Sequence, residues 1–434
     1  MRFNNVVLIL LLLAIAGCGG NAKLPVAAGT GPEPVLPEPR NALIPLVNIA
    51  RIARWEGAAT PVAAEGLVVN AFAAGLDHPR WLYVLPNGDV LVAETNAQPK
   101  KPKGIVGRVE KMVMSRAGAG VPSADRISLL RDADGDGVAE TKTVFLSGLT
   151  SPFGMSLIGN RLFVANTDGV VSFPYAGGET QITSAGTPLV ALPAGENNRH
   201  WTKNIVASAD GIYLYASVGS NSDHAENGID NETGRAAIWQ IDAGTGEHRV
   251  FASGLRNPVG MAFEPSTGVL WTAVNERDDL GGDLVPDYMT SVVDGGFYGW
   301  PYSYYGDHLD PRIKDQRPDL VATALTPDYA LGPHTASLGL TFAEGQALGP
   351  AWSDGAFIGQ HGSWNRKPRS GYKVIFVRFA NGRPVGQPVD VLTGFLNEDG
   401  DAQGRPVGVI VDKAGSLLVA DDAGNTIWRV SRAK

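Results

Sequence analysis

Cysteine is almost missing from this chain. Cys18 is the only one in 434 residues, so no intramolecular disulfide can form, and no His/Cys cluster exists to bind zinc. Positive charge is also short: 36 Lys and Arg against 44 Asp and Glu leave a formal net charge of −8. No basic run or stripe appears, which removes nucleic acid from the expected partners. Long helical periodicity is scarce, which argues against an α-helical body. The one sustained apolar run, Val6 to Ala16, is too short for a spanning helix. Turn formers are abundant instead, with 54 Gly and 29 Pro. The length would allow two or three domains, yet single barrels and propellers also reach it.

Arg2 and the apolar run end in Ile15-Ala16-Gly17-Cys18. Small residues before a lone Cys resemble a bacterial lipoprotein signal, with residues 1–17 removed and Cys18 lipidated. That predicts an exported chain, tethered to the cell envelope by a lipid and facing the periplasm. Gly19 after the Cys leans towards the outer membrane. Residues 18–46 are rich in Ala, Gly and Pro and read as a flexible tether that cannot build a core. Residues 47–434 are read as the folded body.

Within that body a pattern recurs six times: a Gly- or Pro-bearing turn, a short apolar run, a Gly-centred turn, and a second apolar run. The copies begin near Gly75, Gly148, His200, Gly254, Leu338 and Gly404. Five carry clear hairpin turns, at 87–89, 158–160, 209–211, 266–268 and 413–415, with residues that tolerate positive φ. The flanking runs use Val, Leu, Phe, Tyr and Trp, which suit pleated surfaces. Starts roughly 50 to 85 residues apart fit one four-stranded blade plus insertions. The expected fold is all-β, a six-bladed β-propeller; a pair of β-sandwiches fits the repeat less well.

Two acidic loops are candidates for metal. In RDADGDGVAE, Asp132, Asp134 and Asp136 alternate before Gly137, with Glu140 following. This is the opening of a Ca²⁺ loop. Position twelve is Thr143, so a full EF-hand is absent and the expectation is a shorter, structural Ca²⁺ turn; a plain acidic turn is the alternative. The fourth copy places Arg256 and Asn257 before Pro258, and its second apolar run ends in Asn275-Glu276-Arg277-Asp278-Asp279. A guanidinium, an amide and a carboxylate loop at the two ends of a short strand suit an anionic cofactor held with a hard cation.

The combination of GLRNPVGMAF, GGFYGWPYSYYG, IGQHGSWNRKPRSGYKVIFVRF and GRPVGVIVDKAGSLLVADD resembles the PQQ-dependent glucose/sorbosone dehydrogenase family, nearest its sorbosone-dehydrogenase-like branch. The resemblance covers about Leu67 to Val430. It implies a PQQ- and Ca²⁺-dependent oxidoreductase acting on a sugar or aldose-type hydroxyl. It also implies a further acceptor, a quinone or cytochrome, for the electrons. His200, in NNRHWTKNIV, resembles the family's catalytic base. Arg256 and Asn257 match its Arg-Asn pair, Arg256 holding charge against a quinone oxygen and Asn257 giving a neutral hydrogen bond. Asn275 and Glu276 fall where the family offers carbonyls to Ca²⁺, with Asp278 and Asp279 as carboxylates nearby, although the family's Gly-Pro is replaced here. Arg405 matches a PQQ-binding Arg of the sixth blade. The family's fifth-blade Lys has no counterpart: His361 occupies its approximate place, and Arg366 or Lys367 could replace it. The missing Lys keeps a second reading open, a propeller without PQQ that serves as a sugar- or ligand-binding lipoprotein or a lactone hydrolase. The remaining histidines, His78 and His334 among them, read as structural.

Overall fold

The computed structural model describes residues 21–40, 47–99 and 120–433. The expected signal peptide and Cys18 lie outside the described residues. Six antiparallel sheets, each with four core strands, follow one another along the chain. Their first strands are Pro79–Val84, Met155–Ile158, Ile205–Ala207, Pro258–Phe263, Ser337–Phe342 and Pro406–Val411. Each first strand lies beside the next, and the sixth lies beside the first, so the six ring a central channel. The fold is the expected six-bladed propeller.

The last blade is completed by the beginning of the body. Leu67–Ala74 pairs antiparallel with Thr426–Arg432, from Leu67 opposite Arg432 to Ala74 opposite Thr426. This leaves no broken edge in the ring. Each repeat copy proves to be the first two strands of a blade with the turn between them. The turn glycines stand at positive φ, from Gly88 (99°) to Gly415 (84°). Second strands are sandwiched between neighbouring blades, so Val90–Glu94, Leu270–Val274 and Leu417–Asp421 are buried at every position. That explains their unbroken apolar runs where a half-exposed strand would alternate. Outer strands such as Thr187–Ala191 are mostly exposed.

The tether expectation fails for residues 21–40. Val26–Gly29 forms a short 3₁₀ turn, and Thr30–Gly31 adds a fifth strand to the outer edge of the fourth blade. Asp283 accepts the backbone N–H groups of Lys23 (2.7 Å) and Leu24 (3.2 Å), and Arg366 donates to the Leu24 carbonyl (2.9 Å). The Arg40 N–H reaches the Leu280 carbonyl (2.9 Å). A segment without a core of its own is held here by the open edge of a blade and by one buried carboxylate. No helix among the described residues is long and apolar enough to cross a membrane.

Replacing Asp283 by Ala removes two acceptor contacts from the docked segment and the anionic partner of Arg366. The expected outcome is a stability loss of about 1–3 kcal/mol in urea unfolding. Trypsin should also cut after Lys23 several-fold faster. Unchanged cleavage would show that the segment is held by other contacts.

Candidate active site

Loops that enter the first strands, and loops that join second to third strands, all lie on one face of the ring. His200 comes from the first kind, ahead of Ile205–Ala207. Its Nδ1 lies 2.9 Å from both the carbonyl oxygen and the Oγ of Ser220, and that hydroxyl in turn donates to the Ser222 carbonyl (2.6 Å). A carbonyl can only accept, so Nδ1 carries the proton and the neutral ring keeps its lone pair on Nε2. Burial, then the charges of Arg256 and Arg199, hold the imidazole well below its ordinary pKa of 6.5. His200 is therefore a neutral base with a fixed tautomer. Gly219 is required beside it, because a Cβ there would overlap both the His200 Cβ and Asn257 Oδ1.

Arg256 enters at the head of the fourth blade and is 1 % exposed. It makes four hydrogen bonds within the protein: Nε to the Asp223 carbonyl (3.2 Å), Nη1 to the carbonyls of Asn275 (3.1 Å) and Glu276 (2.7 Å), and Nη2 to Asp223 Oδ1 (2.7 Å). Asp278 Oδ2 lies 3.6 Å from Nη2. Burial works against charge on Asp223, yet Arg256, the His224 hydrogen bond and Arg312 together hold its carboxyl well below the usual carboxylate range. The guanidinium expected to face a quinone oxygen thus spends its donors on the protein. A cation this deep needs acceptors of its own, and Asp223 and the 275–276 carbonyls provide them.

The same loop engages most of the oxygens expected for Ca²⁺. The carboxylate of Glu276 pairs with Arg277 (3.0 Å), which also reaches Asp310 (3.0 Å). Asp278 accepts from Asn365 Nδ2 (2.9 Å) and lies 3.5 Å from His334 Nδ1. Asp279 stands at φ 64°. Burial, then Asp278 and Asp223, push its carboxyl above the ordinary value, against the opposing pull of Arg312 and Arg199. Asn257 is buried, and its Oδ1 has no protein partner.

A second buried cluster lies where the fifth and sixth blades meet the first. His361 Nε2 is 2.9 Å from Asp422 Oδ2, Arg80 Nη1 is 2.6 Å from the same oxygen, and His78 Nδ1 is 3.1 Å from the Asp422 carbonyl. Burial opposes charge on Asp422, but His361, His78 and Arg80 hold its carboxyl far below the usual range. Arg405 belongs to this group through its charge on His361. Arg80 and Arg405 each keep a buried Nε–H without a partner. Arg366 and Lys367, expected to stand in for the missing Lys, are used elsewhere. Arg366 is 1 % exposed and bonds the Gly282 (2.8 Å), Pro368 (2.9 Å) and Leu24 carbonyls, while Lys367 is exposed and its carbonyl accepts the Ala22 N–H (2.9 Å).

Sequence reasoning missed Asp223, His78, Arg80 and Asp422. The available signal was position: each lies at the head of a first strand or in a loop after a second strand, on the same face as His200. The loop of Asp132, Asp134, Asp136 and Glu140 joins Arg126–Arg131 to Thr141–Leu146 and so lies at the opposite end of the ring. Its ligand atoms lie within 4.8 Å of one another, the only such group among the described residues.

A family model described as TrAA12-like matches residues 61–288 and 312–433. Among relatives with a stated activity is the aldose sugar dehydrogenase YliI of Escherichia coli, 26% identical over 260 residues, 59% of this chain and 60% of that protein. Another is the pyrroloquinoline quinone-dependent pyranose dehydrogenase of Coprinopsis cinerea, 23% identical over 432 residues, 85% of this chain and 54% of that protein. The chain thus spans little more than half the length of both relatives. In fold it is similar to the holo form of the Coprinopsis cinerea pyranose dehydrogenase PQQ domain, with a TM-score of 0.69 at 21% identity over 89% of this chain and 100% of that domain.

The second cluster makes stability depend on pH. Burial pulls folded His78 down to about 4, against 6.5 when exposed. Between those values the unfolded chain binds more protons, so stability rises with pH. His78's contribution is complete above the unfolded value and is lost as pH falls through the folded one. Asp422, also depressed, has the same sign at lower pH. His78→Asn, which tolerates the φ of 55° at this position, should flatten the fall in urea midpoint across that window. An equally steep fall in the variant would exclude His78 as its source.

Proposed function

This chain belongs to the TrAA12-like family, and from that premise we propose that it is an oxidoreductase that oxidises a sugar hydroxyl with pyrroloquinoline quinone. The substrate is an aldose, glucose- or sorbosone-like, and Ca²⁺ accompanies the cofactor. The residues present fit a flat tricarboxylate. Arg80 and Arg405 hold unpartnered buried N–H donors, with His361 and His78 near them on Asp422, and Asn257, near His200, holds an unpartnered amide oxygen. The oxygens of the 275–279 loop are hard donors of the kind Ca²⁺ takes, and those of Asn275, Glu276 and Asp278 already hold protein partners that a cation would have to share. Bound there, the quinone would supply a two-electron acceptor for hydride.

The chain's own residues then divide the remaining work. His200 Nε2 takes the hydroxyl proton, while the carbon-bound hydrogen leaves with both electrons of its bond. The Ser220 carbonyl keeps the imidazole in the tautomer that can do so, and gains strength as an acceptor once the ring is charged. Arg256 acts through its field. It keeps His200 neutral before the transfer and orders the Asn275 and Glu276 carbonyls. The observation that carries this reading is the neutral His200, fixed at Nδ1, on the same face as the guanidinium pair with unspent donors. The electrons pass on to a quinone or cytochrome, and the Cys18 signal supports export and lipid anchoring at the envelope.

Purified protein supplied with PQQ and Ca²⁺ is expected to reduce a dye with at least one aldose. His200→Ala should lower kcat about 10²–10⁴-fold while leaving PQQ affinity in calorimetric titration unchanged; Arg405→Ala should weaken that affinity. The acidic limb of kcat/KM should fall below the ordinary imidazole pKa of 6.5. No dye reduction across an aldose panel would overturn the proposal, and lactone cleavage in its place would assign a hydrolase.

A further inference from the structure

We propose that the cavity between the third and fourth blades, on the same face as His200, is a saccharide subsite that takes the sugar unit next to the one oxidised. The inference rests on the dehydrogenase reading above. The cavity measures about 350 Å³, a volume within the range of small-molecule sites. One wall is the loop that carries Asp230, Thr233 and Arg235; the other carries Phe297, Trp300 and Tyr302. The second wall is held firmly. The Tyr298 N–H donates to the Ser253 carbonyl (2.9 Å), and the Trp300 N–H to the Gly254 carbonyl (3.0 Å). Gly254 permits this approach: at φ 76°, a Cβ there would lie 2.7 Å from the Tyr298 nitrogen.

The chemistry of the two walls differs. Phe297 and Tyr302 are half-buried, so part of each ring remains accessible beside the buried Trp300. Ring faces pack against the C–H face of a pyranose, and the phenol of Tyr302 adds a polar edge. The facing wall offers an exposed carboxylate at Asp230 and an exposed hydroxyl at Thr233. Arg235 is buried and tied to Asn198 Oδ1 (3.0 Å) and the Ala194 carbonyl, so its charge is internal and does not favour an anionic ligand. Glu232, also in the lining, is buried and accepts from the Asn221 N–H and the Ser222 hydroxyl, so the exposed charge is the Asp230 carboxylate; aromatic faces opposite it disfavour an anion and fit a neutral polyhydroxy ring.

Both walls of the cavity are hydrogen-bonded to residues of the reaction centre. Trp300 Nε1 donates to the Asp223 carbonyl (2.9 Å), the oxygen that also receives Arg256 Nε. On the other wall, Arg235 Nη1 lies 3.5 Å from the Gly219 carbonyl, and Gly219 packs against His200 and Asn257. Each wall is thus tied to the centre by one hydrogen bond, and the proposal seats the second unit of a linked sugar on this side of it.

The test uses α-1,4- and β-1,4-linked glucose oligomers of one to four units. Reconstituted wild-type protein should show kcat/KM rising roughly tenfold, worth about 1.4 kcal/mol, from the monomer to the trimer of one series. Tyr302→Ala and Asp230→Asn should abolish the rise and leave the monomer value unchanged. Calorimetric titration of the protein without PQQ should show trimer binding that both variants weaken. Equal kcat/KM at every length, with no calorimetric binding, would overturn the subsite and leave the dehydrogenase standing. Trimer binding lost in the variants, without oxidation of any sugar, would uphold the subsite and sink the dehydrogenase.

Discussion

The pairing of Leu67–Ala74 with Thr426–Arg432 decides where everything else falls. A sheet with twisted strands closes into a ring only when its last unit meets its first, and here the two ends of the body share one blade. Once that seam is made, the six first strands must converge, and the loops at their heads must meet over the channel. Residues as distant as His78 and Asp422 become neighbours, with His78 Nδ1 3.1 Å from the Asp422 carbonyl. No local element could bring them together.

What the ring assembles is expensive to bury. Arg256, Arg277 and Asp223 are 1 %, 0 % and 4 % exposed, and each would be prohibitive alone. They persist because each charge finds opposite charge and carbonyl oxygens at hydrogen-bonding distance. The arrangement has a chemical result beyond stability. Burial first, and then the fixed cation beside it, disfavour imidazolium, so the His200 ring is held neutral where a free histidine would be partly protonated. The ion pairs that keep Arg256 buried and its effect on the His200 imidazole are therefore one electrostatic arrangement seen from two sides.

The fold was legible because its signals are local. Glycine-centred turns and unbroken apolar second strands recur with each blade, and a reader needs only the chain order to count six. The placement of His200 and Arg256 at blade entrances was also legible, through the motifs around them. Arg80 and Asp422 were not, because an ordinary Arg in a strand and the second Asp of an acidic turn carry only the signal of their place in the blade, and their pairing across 342 positions of chain appears only in the folded ring. The use of Arg366 was missed for a related reason. A basic residue in a loop near a cofactor site has two equally local readings, and only the position of Leu24, brought back from the N-terminal segment, separates them.

That N-terminal segment also marks a limit on arguments from composition. Gly, Pro and Ala in residues 21–40 state correctly that the segment buries too little apolar surface to fold alone. They say nothing of whether another part of the molecule offers backbone partners. The outer edge of the fourth blade has unpaired N–H and C=O groups, and Thr30–Gly31 takes them up. Asp283, on the loop that also carries Asp278 and Asp279, accepts the Lys23 N–H at 2.7 Å. The ordering of the leading segment is therefore coupled to the conformation of the acidic loop. The same loop carries the Asn275 and Glu276 carbonyls held by Arg256, so one stretch of chain serves both the docked segment and the buried guanidinium.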